Sequence, residues 1–282
     1  MKRPLYYKTK RITINILIHL CLLTIAVSCI FPLLWMVGSS LKTQDAVFSD
    51  MSLFPRQMHW ENYYLAWKEG GFGRYFINSI AYTSFVVAGI IIISSLAAYA
   101  FSRFSFPGRN LIFYGFMAAM MIPIPGSFVP LYLLMNKLHL RNTPLGYILC
   151  MINVGLSTSI FLLKTFFDKM PKELEDAARI DGCSKFGIWW NVALPLAKPV
   201  LAVVVVFNAL NVWNEYLLAL LIFDSRHLMP LQVALMAFQG EYITKYHLLM
   251  AGLTIAALPI IIVYVLMQKY IIKGVTQGAI VG

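Results

Sequence analysis

The residues able to do chemistry in this 282-residue chain fall into two groups. Asn208, Asn211 and Glu215 stand at i, i+3 and i+7, the spacing of one helical face, with Asn214 at the edge of that stripe. They lie in a segment, Pro199 to Phe223, in which Glu215 is the one charged residue. An ionisable group in such surroundings is expensive, so it faces a bundle interior or a water-filled path. The chemistry implied is hydrogen bonding, either to a neighbouring helix or subunit or to a polar solute in passage. The second group lies between Lys164 and Lys198, a stretch with 6 basic and 5 acidic residues. There Ala177 and Ala178 allow close approach by another backbone, and Glu175, Asp176, Arg179 and Asp181 offer charges to a partner protein. The four cysteines and five histidines are scattered and form no ligand cluster or disulfide framework. Neither residue type points to catalysis.

The elements that must carry these residues are membrane helices. Hydrophobic residues make up 60% of the chain and charged residues 12%, against about 45–50% and about 25% in ordinary soluble domains. A helix crosses a bilayer's hydrocarbon core in roughly 20 apolar residues. Windows of that kind run from Ile12 to Leu41, Tyr75 to Ser102, Asn110 to Asn136, Asn142 to Leu163, Pro199 to Phe223 and Tyr246 to Gln268. The expected fold is therefore an all-α integral membrane protein with about six spanning helices. In the third window, Met121-Ile122-Pro123-Ile124-Pro125-Gly126 and then Pro130 predict a kink or break.

Basic residues near helix ends are retained on the cytoplasmic side. Lys2, Arg3, Lys8, Lys10 and Arg11 precede the first window with no acidic residue among them, and placing this end inside puts 15 of the 23 Lys and Arg on inner segments. Both termini are thus expected in the cytoplasm. This distribution by membrane side accounts for the net charge of +11 without a nucleic-acid partner. The first apolar run is too long for a cleaved signal peptide. In the first outer loop, Trp60, Tyr63, Tyr64 and Trp67 share a helical spacing compatible with a short interfacial helix near Trp60 to Lys68, but the simpler reading is that these amphipathic rings only anchor the loop at the headgroup level.

The loop from Lys164 to Lys198 has its own local signals. Pro171 suits the first turn of a helix, and Glu173, Glu175 and Asp176 suit its positive N-terminal end. Glu175 and Arg179 are spaced as an i, i+4 ion pair, Leu174, Ala177 and Ala178 as a small apolar strip, and Gly182 as a left-handed stop. A second helix from about Ser184 carries Phe186, Ile188, Trp189 and Trp190 before Leu194-Pro195, and its aromatics are expected to anchor the unit to the bundle.

Glu175-Asp176-Ala177-Ala178-Arg179-Ile180-Asp181-Gly182, followed by Leu194-Pro195, resembles the EAA loop of ABC-importer permeases, whose pattern is E-A-A-x-x-x-G-x9-I-x-L-P. Asp176 stands where that pattern has Glu, and Val192 where it has Ile. The likeness extends to Phe31-Pro32-Leu33-Leu34-Trp35 with Ser39-Ser40-Leu41-Lys42, to Ala97 through Arg103, to Trp213 through Ala219, and to Gln268-Lys269-Tyr270 with Lys273-Gly274. These segments look like the carbohydrate-uptake branch, in particular the maltose-type second permease.

The resemblance implies a type I ABC-importer permease fold. Residues 1–11 would form a cytoplasmic N-terminus, 12–272 a six-helix transmembrane domain with the coupling loop at 164–198, and 273–282 a cytoplasmic tail. It implies half of a translocation path in the cell membrane for a sugar or oligosaccharide, a homologous permease as partner in a heterodimer, two cytoplasmic ATPase subunits and an external solute-binding protein. In that family the ATPase docks on the loop, here Glu175, Asp176, Ala177, Ala178, Arg179, Asp181 and Gly182 with Leu194 and Pro195. Asn208, Asn211, Asn214 and Glu215 are then candidates for the path. The chain has no G-x-x-x-x-G-K-[ST] phosphate loop, so it is not expected to be an enzyme or to bind a cofactor, and ATP-Mg belongs to the partner ATPase. Two other transport readings compete: an ABC permease for a non-sugar solute such as a glycerol phosphate, amino acid or peptide, and an ion-coupled secondary transporter. The latter predicts paired charges within spans and an internal repeat. A membrane scaffold without a path is the third, against which the polar stripe on the fifth window argues.

Overall fold

The computed structural model describes the backbone of residues 5–121, 124–239 and 244–279, and the side chains of residues 13–121, 126–239 and 244–269. Lys2, Arg3, Ile122, Pro123 and the end of the expected tail, 280–282, lie outside the described residues. Apart from one isolated bridge between Gln239 and Thr244, the described secondary structure is helical. The α-helices in order are α1 (Leu5–Ser40), α2 (Ala46–Ser49), α3 (Glu61–Glu69), α4 (Phe72–Arg103), α5 (Arg109–Ala119), α6 (Phe128–Lys137) and α7 (Pro144–Lys169). There follow α8 (Glu173–Ile180), α9 (Lys185–Ile188), α10 (Leu194–Leu196), α11 (Lys198–Asn214), α12 (Leu217–Ile222), α13 (Leu231–Leu235) and α14 (Tyr246–Ala279).

Among the described residues, α1, α4, α7 and α14 are each long and apolar enough to cross a bilayer, and they match the first, second, fourth and sixth windows. The fifth window corresponds to α11, which is long and apolar enough only together with the Lys185–Leu196 stretch, the two meeting at a bend of 78°. The third window is not one helix. It is broken into α5, a 3-10 turn over Ile124–Ser127, and α6. Pro125 lies in the 3-10 turn and Pro130 in the first turn of α6, positions where a missing backbone donor is tolerated.

The chain divides into two compact units, residues 1–70 with 238–255 and residues 71–237 with 256–282. In the first unit, the aromatic segment is helical after all: α3 buries Asn62 and Ala66 and leaves Tyr64 and Trp67 exposed, with an exposed Trp60 just before its first turn. Lys42 is only 1% exposed. Its ammonium donates to the carbonyls of Asp50 (2.6 Å) and Ser52 (2.7 Å) and lies over the Trp35 ring, 4.8 Å from its centre. The Asn62 amide ties this turn down by donating to the carbonyls of Ser40 and Lys42, both at 2.8 Å. The Ser52 N–H and hydroxyl donate to Asp50 and hold its carboxyl below the usual range.

In the second unit, α7 packs along α4, and α11 packs on both. The core contains Val86, Ile90, Met151 and Val204 and a cluster of Tyr82, Tyr147 and Phe223 rings, with centres 5.1 to 5.8 Å apart. The indole N–H of Trp213 donates to the Ala256 carbonyl at 2.9 Å, tying α11 to α14.

Candidate functional site: the 164–198 loop and the polar residues of α11

The loop folds as its local signals require. Helix α8 begins at Glu173, two residues after Pro171, with Glu173, Glu175 and Asp176 in its first turn. It ends in a paired bond pattern in which the Cys183 N–H reaches the Ala178 carbonyl (3.0 Å) and the Gly182 N–H reaches the Arg179 carbonyl (3.1 Å). That is a Schellman end. It requires the left-handed φ of +84° that Gly182 adopts without a steric penalty. Ser184 then caps α9, its hydroxyl accepting from the Gly187 N–H at 3.1 Å. Beyond α9 the helix widens into one π turn, Trp189–Ala193, in which the Leu194 N–H reaches the Trp189 carbonyl. At Ala197 the chain bends into α11.

Two expectations for this loop need correction. Glu175 does not pair with Arg179. It is 5% exposed and faces the bundle, where it accepts from Arg103 Nε at 2.5 Å and from the Tyr99 hydroxyl at 3.1 Å. Arg103 also donates through Nη2 to the Met170 carbonyl at 2.8 Å. Arg179 pairs instead with Asp176, one turn back at i, i+3 and 3.0 Å. The two alanines also part company. Ala178 packs into the core beside Glu175, whereas Ala177 is exposed on the outer face with Asp176 and an 87% exposed Ile180. The physical reason is the i, i+3 spacing of 175 and 178, which puts both on one side of the helix. Asp181 and Pro195 are exposed and Leu194 is half-buried. The aromatics of the second helix divide likewise: Ile188 and Trp189 are buried and anchor it, while Phe186 and Trp190 are exposed.

The polar stripe of α11 is divided as well. Asn208 is 1% exposed, and its amide donates to Ser159 Oγ (3.0 Å) on α7 and to the Val204 carbonyl (2.8 Å). It is a bond between helices. Gly155 makes room for it, since a Cβ there would overlap Asn208 Oδ1. Asn211 and Asn214 are exposed, and Asn214 Oδ1 accepts from Gln232 at 3.2 Å. Glu215 does not share a helical face with them, because α11 ends at Asn214 and Glu215 is extended (φ −75°, ψ 129°). Its carboxylate accepts from the Leu218 N–H at 2.6 Å, in the first turn of α12. A carboxylate that satisfies a free N–H there stops one helix and starts the next.

Sequence reasoning missed the roles of Tyr99 and Arg103, although both fall in the Ala97–Arg103 segment, whose family likeness was the available signal. It also missed Asn142. This residue takes the left-handed φ of 55° and its Oδ1 accepts from the N–H groups of Asp224 (3.1 Å) and Ser225 (3.0 Å). From there the chain is held to α4, with Asn78 donating to the carbonyls of His227 and Met229, and Tyr82 to that of Leu228. A lone Asn-Thr-Pro turn was the signal. Among the described residues, no cluster of His, Cys, Asp and Glu could hold a metal ion.

Residues 89–277 match the model of the family described as binding-protein-dependent transport system inner membrane component. The chain is 36% identical over 268 residues to the Probable ABC transporter permease protein YurM of Bacillus subtilis, covering 95% of this chain and 88% of that protein. It is 32% identical over 262 residues to the diacetylchitobiose uptake system permease protein NgcG of Streptomyces coelicolor, covering 92% and 87%. Its structure superposes, at a TM-score of 0.80 and 26% identity, on a chain of a bacterial ABC transporter involved in the import of the acidic polysaccharide alginate, covering 95% of this chain and 100% of the other.

Proposed function

The chain belongs to the binding-protein-dependent transport system inner membrane components, and from that premise we propose that it is the permease subunit of an ATP-driven importer of a sugar or oligosaccharide. The relatives support the cargo class: a diacetylchitobiose permease is similar in sequence along nearly the whole chain, and a chain of an alginate importer shares its fold. The observation that carries the mechanism is the presentation of α8. Its inner face is held by Glu175 and Ala178, and its outer face offers Asp176, Ala177 and Ile180 to a partner. The Asp176–Arg179 pair is well exposed on both sides. A surface pair of that kind contributes about 0–1 kcal/mol, so Asp176 is readily given up to a cation of a docking protein.

In this reading a separate ATPase sits on the outer face of α8 and hydrolyses ATP-Mg. Both termini lie on that same cytoplasmic side, and a homologous permease supplies the other half of the path. Asn211 and Asn214 of α11, with Glu215 just beyond its end, are the path candidates, while Asn208 is taken up by its bond to α7. The test is recovery of the ATPase with affinity-tagged chain from membranes. Asp176→Lys should reduce recovery several-fold without reducing the amount of chain inserted. Undiminished recovery would remove the docking role of this face.

A further inference from the structure

Of the residues of α8, only Glu175 and Ala178 are buried. Its buried side chains are thus one methyl and one carboxylate. That carboxylate is shared among three elements. Tyr99 and Arg103 come from the last turns of α4, and Met170, whose carbonyl takes the second Arg103 bond, closes α7. Arg103 and Glu175 are each 7% exposed at the side chain. A buried ion of either sign is strongly disfavoured without its partner, so this joint yields much less easily than the exposed pair on the other face. Because α4 packs along α7 and against α11, a displacement of α8 through Glu175 moves the ends of two spanning helices together.

We infer that Tyr99 and Arg103 are positioning residues for coupling: with Glu175 they form the joint through which movement of α8 reaches α4 and α7. The inference rests on the reading of α8 as the ATPase contact. It predicts a defect in transmission, with docking intact, when the joint is neutralised.

The test uses the whole transporter reconstituted in vesicles, with three readouts: ATPase recovery, ATP hydrolysis, and solute taken up per ATP hydrolysed. Arg103→Met alone leaves Glu175 buried and unpaired, so the main variant is the double change Arg103→Met with Glu175→Gln, which leaves no uncompensated charge. ATPase recovery is expected at the unmodified level, with hydrolysis continuing and uptake per ATP lowered at least threefold. Arg103→Lys keeps the charge with fewer donors and should restore part of the ratio. An unchanged ratio in the double variant overturns the inference. So does loss of ATPase recovery, which would make the joint part of docking. If the double variant does not reach the membrane, Arg103→Lys decides: a lowered ratio supports the joint and an unchanged one refutes it. Failure of the docking reading shows separately, as undiminished ATPase recovery with Asp176→Lys.

Discussion

Alanine at Gly155 should weaken the bundle, while alanine at Gly115 should strengthen it slightly. Both glycines lie inside helices, where Gly→Ala gains about 0.5–1 kcal/mol from the backbone alone. At Gly115 a new Cβ meets nothing within 4 Å, so the gain is kept. At Gly155 it would overlap both Asn208 Oδ1 and the Ile90 Cδ1 methyl. The Asn208 amide cannot swing away freely, because it is held by Ser159 Oγ and the Val204 carbonyl at 3.0 and 2.8 Å. Overpacking of this kind costs about 1–3 kcal/mol, and a weakened hydrogen bond between membrane helices adds about 0.6 kcal/mol. After the backbone gain, Gly155→Ala should lose about 1–3 kcal/mol. Gly89→Ala should fall between the two, since its Cβ meets only the flexible end of Ile152. The assay is the fraction of detergent-solubilised chain that stays monodisperse after heating, compared across the three variants. If Gly155→Ala melts with or above Gly115→Ala, the account of the α7–α11 contact is wrong.

Gly182→Val forces a β-branched residue into a φ of +84°, which costs roughly 1–2 kcal/mol or more. Opening the Schellman end should lower uptake relative to ATP hydrolysis in vesicles while insertion is unchanged; equal ratios would count against it. Asn142→Leu loses two acceptor bonds to backbone N–H groups and adds left-handed strain, about 2–3 kcal/mol together. Faster proteolytic cleavage within 223–230 is the expected sign. Glu215→Gln keeps an oxygen for the Leu218 N–H, so the melting midpoint should hold while apparent solute affinity shifts several-fold. Unaltered affinity would assign Glu215 to capping alone.

Much of this architecture was legible because its causes are local. Apolar length identified α1, α4, α7 and α14, and prolines announced the break between α5 and α6. The α8 unit was readable from Pro171, its acidic first turn and Gly182, since each acts on a neighbouring backbone group. What was not legible is which of two neighbouring carboxylates faces inward. Glu175 and Asp176 are adjacent and chemically alike. Their fates are decided by Tyr99 and Arg103, more than 70 residues away along the chain. The continuation of α11 through Glu215 failed for a related reason. The periodicity suited a helix, but the carboxylate found a better use at the Leu218 N–H. Asn208 and Asn211 share one stripe in sequence, and the space left by Gly155 with the Ser159 hydroxyl beside it singles out the first.

The π turn at Trp189–Ala193 has a consequence for how this region tolerates change in length. A turn closed from Leu194 to Trp189 holds one residue more than an α turn needs. Deleting a single residue there would let an ordinary α turn close while α11 kept its heading. The same deletion within α9 or α11 would rotate the residues beyond it by about 100° and carry Asn208 away from Ser159. The stretch where the loop re-enters the bundle thus stores one residue of register, and shortening it there by that residue should leave the helices downstream facing as they do now.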